Sequence, residues 1–104
     1  MLDFSEIKAR WFQSIGPFPD IARDAAEGVD LMHLLSLDSS VAGCIDTFVH
    51  SRGQLDDDRI RYLRRGCHEL KRAVRNLQGP SKLYFQERLA LTRAVLENTT
   101  GKGC

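Results

Sequence analysis

Apolar residues recur along the chain at intervals of three and four positions, the spacing of one face of an α-helix. The clearest run is Ile60, Leu63, Cys67, Leu70, Val74 and Leu77. Asp56 precedes this run as the predicted N-cap, and the carboxylates of residues 56–58 suit the positive end of a helix. Gly79-Pro80 ends that helix and begins the next one at once, so the two are predicted to form an antiparallel helical hairpin.

The first half shows the same period in shorter pieces. Asp3 with Glu6 predicts a capping box for a first helix, whose apolar face comprises Phe4, Ile7, Trp11 and Ile15. The sequence Gly-Pro-Phe-Pro at 16–19 ends this helix, and Pro19 is predicted to be the first residue of a second. Residues 29–37 are apolar on several sides and are expected in the centre of the core. Residues 38–40 (Asp-Ser-Ser) predict the N-cap of a further helix.

No segment alternates between apolar and polar residues as a half-buried strand does, and no long repeat is present. The predicted fold is therefore all-α, a single-domain bundle of four to five helices over residues 1–97. Residues 98–104 have no helical pattern and are expected to form a flexible tail. A length of 104 residues suits one domain and excludes a multidomain enzyme.

Charge is divided unevenly along the chain, although the net charge is only +1. Residues 1–58 have a balance of −7, and residues 59–104 have a balance of +8. In the clearest helix the basic residues fall away from the apolar face, with Tyr62 as the one aromatic residue among them. The predicted partner-binding residues are Arg61, Arg64, Arg65, Lys71, Arg72, Arg75 and Tyr62.

Three interpretations of this basic stripe are open. It is a solvated face neutralised by the acidic first half, a surface for an acidic protein, or a surface for a nucleic-acid backbone. Arginine outnumbers lysine, which favours bidentate contact with carboxylate or phosphate. A pI of 7.8 is below that expected of a DNA-binding domain, and the stripe has few aromatic residues for stacking on bases.

The sequence contains no complete catalytic or metal-binding motif. His68-Glu69 begins like the zinc motif HExxH, but Arg72 occupies the position of the second histidine. Asp30 with His33, and Asp46 with His50, are spaced to share helix faces but lack the further ligands of a metal site. We therefore predict no enzyme activity, no metal and no cofactor.

The cysteines Cys44, Cys67 and Cys104 are odd in number and show no CxxC spacing, so reduced thiols are expected. The first residues lack the apolar core of a signal peptide, and no apolar run approaches the length of a membrane span. These features predict a cytoplasmic protein without a membrane partner.

Two aromatic pairs, Trp11-Phe12 and Tyr84-Phe85, place large rings at adjacent helix positions. Either all four rings close the core, or one ring of each pair lies at the surface as part of an interface. The wide aromatic face of the last helix also allows self-association as a homodimer.

From about residue 44 to residue 97 the chain resembles small all-helical immunity proteins of bacterial toxin systems. The resemblance is carried by the run Leu-Asp-Asp-Asp-Arg-Ile at 55–60, by leucines 63, 70 and 77, and by Gly79 followed by Tyr84, Phe85 and Leu89. It implies a non-enzymatic protein that covers the active surface of a toxin, and it carries over no functional residue. Nuclease inhibitors of this kind tend to be acidic, whereas this C-terminal half is basic. An inhibitor of this composition would meet an acidic target face, or would use its Asp-rich first half.

The function predicted from the sequence is thus a non-catalytic helical module that binds a protein, as an immunity-type inhibitor or an adaptor. The alternative is a small nucleic-acid-binding protein that uses the Arg-rich face of residues 59–75.

Overall fold

The computed structural model of the chain describes residues 1–14 and 16–104 and confirms the all-α fold. Its five helices are α1 (Phe4–Gln13), α2 (Ile21–Asp24), α3 (Leu31–His50), α4 (Asp57–Arg75) and α5 (Gly79–Thr100). Ile15, predicted to lie on the apolar face of the first helix, is outside the described residues. The predicted α4–α5 hairpin is present, with a turn of only three residues between the helices.

Four of the five helices begin at an aspartate whose side chain accepts a hydrogen bond from a backbone N–H three residues later. These N-caps are Asp3, Asp20, Asp30 and Asp56. Such caps satisfy backbone donors that have no partner inside the helix. The capping box at Asp3 and Glu6 is formed in both directions, as predicted. At α4 the guanidinium of Arg59 also bonds to Asp56 and lowers the pKa of that carboxyl.

The predicted helix start at residues 38–40 is wrong. α3 runs without interruption from Leu31 to His50, and Asp38 lies in its middle with a buried side chain. The carboxylate of Asp38 accepts a hydrogen bond from Arg88 on α5 instead of capping a helix. The sequence around Asp38 looks like an N-cap, because the partner that allows an aspartate inside this helix lies on another helix. Local sequence therefore predicted a helix start where the helix continues.

The second helix begins at Ile21 and not at Pro19 as predicted, because Asp20 is its N-cap. Its last residue, Asp24, is buried, and its carboxylate bonds to the first turn of α5. One carboxylate oxygen of Asp24 accepts from both the backbone N–H (3.1 Å) and the hydroxyl (2.6 Å) of Ser81. The N-cap of α5, Gln78, provides no side-chain bond, so Asp24 caps α5 from a distance of 57 residues.

The core lies where α3, α4 and α5 meet, and α1 closes one side of it. Its largest fully buried side chains are Phe48, Phe85, Ile7, Ile45, Leu63, Leu70, Leu91 and Leu96. Of the nine described residues in the apolar runs predicted for the first and fourth helices, six are buried: Ile7, Trp11, Leu63, Cys67, Leu70 and Leu77. The other three, Phe4, Ile60 and Val74, are half-buried and pack against the same core. Helical spacing therefore identified the inward faces of these two helices correctly.

The prediction of reduced cysteines is wrong for two of the three. Cys67 on α4 and Cys104 form a disulfide, with their Cα atoms 6.1 Å apart. Cys44 is a free, buried thiol whose pKa is raised by burial. α5 ends at Thr100, so the helix extends three residues into the segment that was predicted to be a tail. Beyond it, Gly101 adopts a left-handed conformation (φ 79°) that ends the helix.

Candidate interaction surface

The basic residues of α4 form one continuous face of the helix. They are Arg61, Arg64, Arg65, His68, Lys71, Arg72 and Arg75, and we call this set the basic face. At 100° per residue the set covers an arc of about 120°, and at 1.5 Å per residue it extends for about 21 Å. The opposite side of the helix, with Leu63, Cys67 and Leu70, is fully buried. The core packing of α4 therefore directs six of the seven basic side chains outward and leaves Lys71 at the border of the buried side.

Most of the basic face is exposed and has no acidic partner. Arg61 pairs with Asp58 on the same helix, and that ion pair is exposed on both sides. In the part of the chain that the structure describes, no carboxylate lies within ion-pair distance of Arg64, Arg65, Arg72 or Arg75. Four guanidinium groups are thus free to bind an external anion.

Two of the predicted binding residues are placed differently from the rest. Lys71 is half-buried, and its amine donates a hydrogen bond to the backbone carbonyl of Cys104 at 2.9 Å. Tyr62 is half-buried against the core at the edge of the face, where the guanidinium of Arg65 lies 5.9 Å from its ring centroid. Tyr62 consequently supports Arg65 and does not offer an open stacking platform.

The acidic first half does not neutralise the basic face. Four of its nine aspartates are N-caps, Asp24 caps α5, and Asp38 is paired with Arg88. Asp46 accepts from the Trp11 indole N–H at 3.2 Å and lies 3.3 Å from the His50 ring. These carboxylates are occupied in stabilising helix ends and contacts within the bundle. The charge division in the sequence therefore reflects helix capping in the first half, and within the described residues Arg61 is the one member of the basic face paired with a carboxylate.

A cleft of about 300 Å³ lies between α3 and α4 beside the basic face. Arg72 and Glu69 line its α4 side, and His33 lines its α3 side. The His33 ring nitrogen is 3.6 Å from the Glu69 carboxylate. The Asp30 carboxylate caps α3 by accepting from the backbone N–H of His33, whereas the His33 ring faces Glu69. Asp46 and His50 share a face of α3, as their spacing predicts, and the His50 ring lies against the Asp46 carboxylate.

Sequence reasoning missed a buried polar cluster between α1, α3 and α5. Asp38 accepts from the Arg88 Nε at 2.8 Å and from the Tyr84 hydroxyl at 2.9 Å. The Arg88 guanidinium also donates to the Tyr84 hydroxyl, and it lies 5.0 Å from the ring centroids of both Trp11 and Tyr84. Burial raises the pKa of Tyr84, which keeps the hydroxyl protonated as a donor. The available signal was Arg88 itself, a charged residue within the apolar face of α5, which requires a buried partner.

The aromatic pairs are divided between core and surface. Trp11 and Phe85 are buried, Tyr84 is half-buried, and Phe12 is 49% exposed. Phe18 is 43% exposed and packs edge-to-face on Tyr84 and Phe85. The interpretation in which all four rings close the core is therefore wrong for Phe12.

Among residues 1–14 and 16–104, no group of three or more His, Cys, Asp or Glu side chains is arranged to hold a metal ion. No helix in the same part of the chain is both long and apolar enough to cross a membrane. Comparison with protein-family models, with curated proteins and with solved structures gave no match.

Proposed function

We propose that this protein is a non-catalytic binding module, and that the basic face of α4 binds an acidic surface of another protein. The observation that carries the proposal is the set of four exposed guanidinium groups on one helix face without an internal carboxylate partner. An unpaired basic surface attracts anions over several ångströms and accelerates association with an acidic partner. An inhibitor of the immunity type and an adaptor are two forms that such a module takes.

The chemistry of the face favours carboxylates held in a fixed arrangement. Arginine presents a planar fork of donors that matches a carboxylate in two parallel hydrogen bonds, whereas lysine provides a single point of charge. Because α4 is rigidly packed through its opposite side, the guanidinium groups are presented with little freedom in the backbone. This arrangement suits a partner surface with acidic residues at helical spacing.

The size and borders of the face favour a protein over a nucleic acid. The face is about 21 Å long, and residues 56–58 supply three carboxylates at its N-terminal end. Glu27, Asp30 and Glu69 line the α3–α4 cleft beside it. A continuous phosphate backbone would pass these carboxylates and be repelled, whereas a compact acidic patch would not. The half-buried position of Tyr62 also removes the one candidate for stacking on a base.

The experiment compares three tagged forms of the full chain. They are the wild type, a variant with Arg64, Arg65 and Arg72 changed to glutamate, and a control variant with Lys8, Arg52 and Arg93 changed to glutamate. All six residues are exposed. Because each variant replaces three basic residues by glutamate, the two variants carry the same change in net charge at different places. Each form is incubated with nuclease-treated lysate of the source organism, and retained proteins are quantified by mass spectrometry. Circular dichroism verifies that each variant is folded.

The proposal predicts that the wild type and the control retain the same protein in near-stoichiometric amount. The α4 variant is expected to retain at least tenfold less of it. Equal retention by all three forms would overturn the proposal, as would retention of only a second copy of this chain. Binding of a 20-nucleotide single strand or duplex with the steep salt dependence of phosphate contacts, and no retained protein, would establish the nucleic-acid alternative.

A further inference from the structure

The disulfide between Cys67 and Cys104 joins the segment after α5 to the middle of α4. Cys67 is fully buried beneath the helix, and Cys104 is half-buried and packs against the same core cluster. The closed loop spans 37 residues and includes the second half of α4 and all of α5. This bond connects two positions that sequence spacing gave no reason to pair.

Few other contacts hold the segment 101–104 in place. Its residues Gly101, Lys102 and Gly103 are exposed. The Thr100 hydroxyl bonds to the carbonyl and the N–H of Lys102, which are local contacts that turn the chain. The one hydrogen bond from this segment to α4 is from the Lys71 amine to the carbonyl of Cys104, at 2.9 Å. The disulfide is therefore the main connection of the segment to the helix.

The hydrogen bond between Lys71 and Cys104 also affects the charge that the basic face presents. Lys71 lies four residues after Cys67, on the border between the exposed and buried sides of α4. Its amine is directed to the Cys104 carbonyl and away from the exposed row formed by Arg64, His68 and Arg75. A lysine amine carries its charge on a flexible stem, so it would join that row once the segment is released.

We propose that the Cys67–Cys104 disulfide is a redox-sensitive latch, which in its oxidised form holds the Lys71 amine away from the exposed arginines of the basic face. The inference rests on the proposed function of that face. Reduction releases segment 101–104 and returns the Lys71 charge to the binding surface. Oxidation reverses both changes.

The reduction is an exchange with a dithiol. A thiolate of the reductant attacks the sulfur of Cys104, the partly exposed member of the pair, and the S–S bond breaks. Cys67 leaves as a thiolate and takes up a proton. The second thiolate of the reductant then attacks the mixed disulfide, Cys104 leaves and is protonated, and the reductant becomes a disulfide. Two electrons and two protons have passed to the protein.

The test follows the wild-type chain in both redox states, prepared with and without dithiothreitol. Maleimide labelling under native conditions counts the accessible thiols, and amide hydrogen exchange follows residues 98–104. Fluorescence anisotropy with a labelled 20-residue polyglutamate peptide measures binding at low salt. The control variant Cys44→Ala removes the third cysteine and leaves the latch intact, and Cys104→Ser leaves it permanently open.

The latch predicts faster exchange over residues 98–104 and labelling of Cys104 after reduction. It also predicts a two- to fivefold gain in affinity for polyglutamate, the effect of about one exposed ion pair. Cys104→Ser should bind like the reduced protein under all conditions, and Lys71→Gln should bind equally in both states. Binding that is the same before and after reduction, or unchanged exchange over residues 98–104, would overturn the latch.

Failure of the proposed function gives a different result. In that case polyglutamate does not bind in either redox state, or the Arg64, Arg65 and Arg72 reversal leaves its affinity unchanged. The thiol count and the hydrogen exchange still report whether the latch opens. The two inferences are thus tested separately in one set of samples.

Discussion

The substitution Asp38→Ala tests the buried cluster that joins α3 to α5. Asp38 and Arg88 are 7% and 8% exposed, and their ion pair is closed at 2.8 Å. Removal of the carboxylate leaves the guanidinium between the rings of Trp11 and Tyr84 without its counter-charge. It also removes the acceptor of the Tyr84 hydroxyl. An unpaired buried charge of this kind destabilises a protein by about 3–5 kcal/mol.

That loss is large against the total free energy of unfolding of a small domain, about 5–15 kcal/mol. Urea denaturation measures it, with far-UV circular dichroism reporting the helices. The fluorescence of Trp11, the single tryptophan, reports the cluster directly. Asp58→Ala is the matched control, because its ion pair with Arg61 is exposed and its loss is expected to cost about 0–1 kcal/mol.

A double substitution separates the loss of the pair from the burial of a lone charge. Replacing Asp38 by leucine and Arg88 by methionine removes both charges, and a buried ion pair exchanged for apolar residues is often close to neutral. The double variant is therefore expected to recover at least half of the loss seen in Asp38→Ala. A loss below about 1 kcal/mol in Asp38→Ala, or a double variant no more stable than the single one, would show that the unpaired Arg88 charge does not destabilise the bundle.

Three further predictions concern stability. Cys104→Ser should lower the free energy of unfolding by about 4 kcal/mol in urea without reductant, since the lost crosslink closes a 37-residue loop; with dithiothreitol present the difference should vanish. Gly43→Ala should stabilise α3 by about 0.5–1 kcal/mol, because nothing lies within 4 Å of the added methyl. Gly66→Ala should gain less stability than Gly43→Ala, since its methyl would lie 3.0 Å from Val41 Cγ2. Thermal melts compare the two variants with the wild type. Asp24 has a pKa of about 2, below its ordinary 3.8. Its contribution to the free energy of unfolding is therefore present above pH 4 and is lost as the pH falls towards 2. In Asp24→Asn the free energy of unfolding should change less with pH in that window.

The low pKa of Asp24 has an identified cause. The hydrogen bond from the Arg23 guanidinium contributes most, and the hydroxyl of Ser81 is next. Both partners favour the charged carboxylate, which also caps α5. Protonation at low pH would therefore weaken the junction between α2 and the start of α5.

Helix starts that depend on neighbouring residues were predictable from the sequence. The caps at Asp3 and Asp56 act on N–H groups three residues away, so their patterns are complete within four positions. The hairpin at Gly79-Pro80 was predictable for the same reason. The inward faces of α1 and α4 followed from periodicity, which depends only on helix geometry.

Features that join distant residues were not predictable. Asp38 finds its partner 50 residues away, and Cys67 bonds to a cysteine 37 residues away. A local pattern cannot distinguish an aspartate that caps a helix from one that is buried in a helix and paired across the bundle. The residues of the basic face were predicted from spacing, but the absence of compensating carboxylates depends on where the nine aspartates of the first half lie in space.

If the basic face of α4 is the binding surface, the affinity for the retained partner depends on its arginines. The dissociation constant is measured by isothermal titration for the wild type, for the Arg64, Arg65 and Arg72 reversal, and for the control reversal on other elements. We predict at least a tenfold weaker complex for the α4 variant and less than a twofold change for the control. Equal affinities for the three proteins would show that the basic face is not the binding surface.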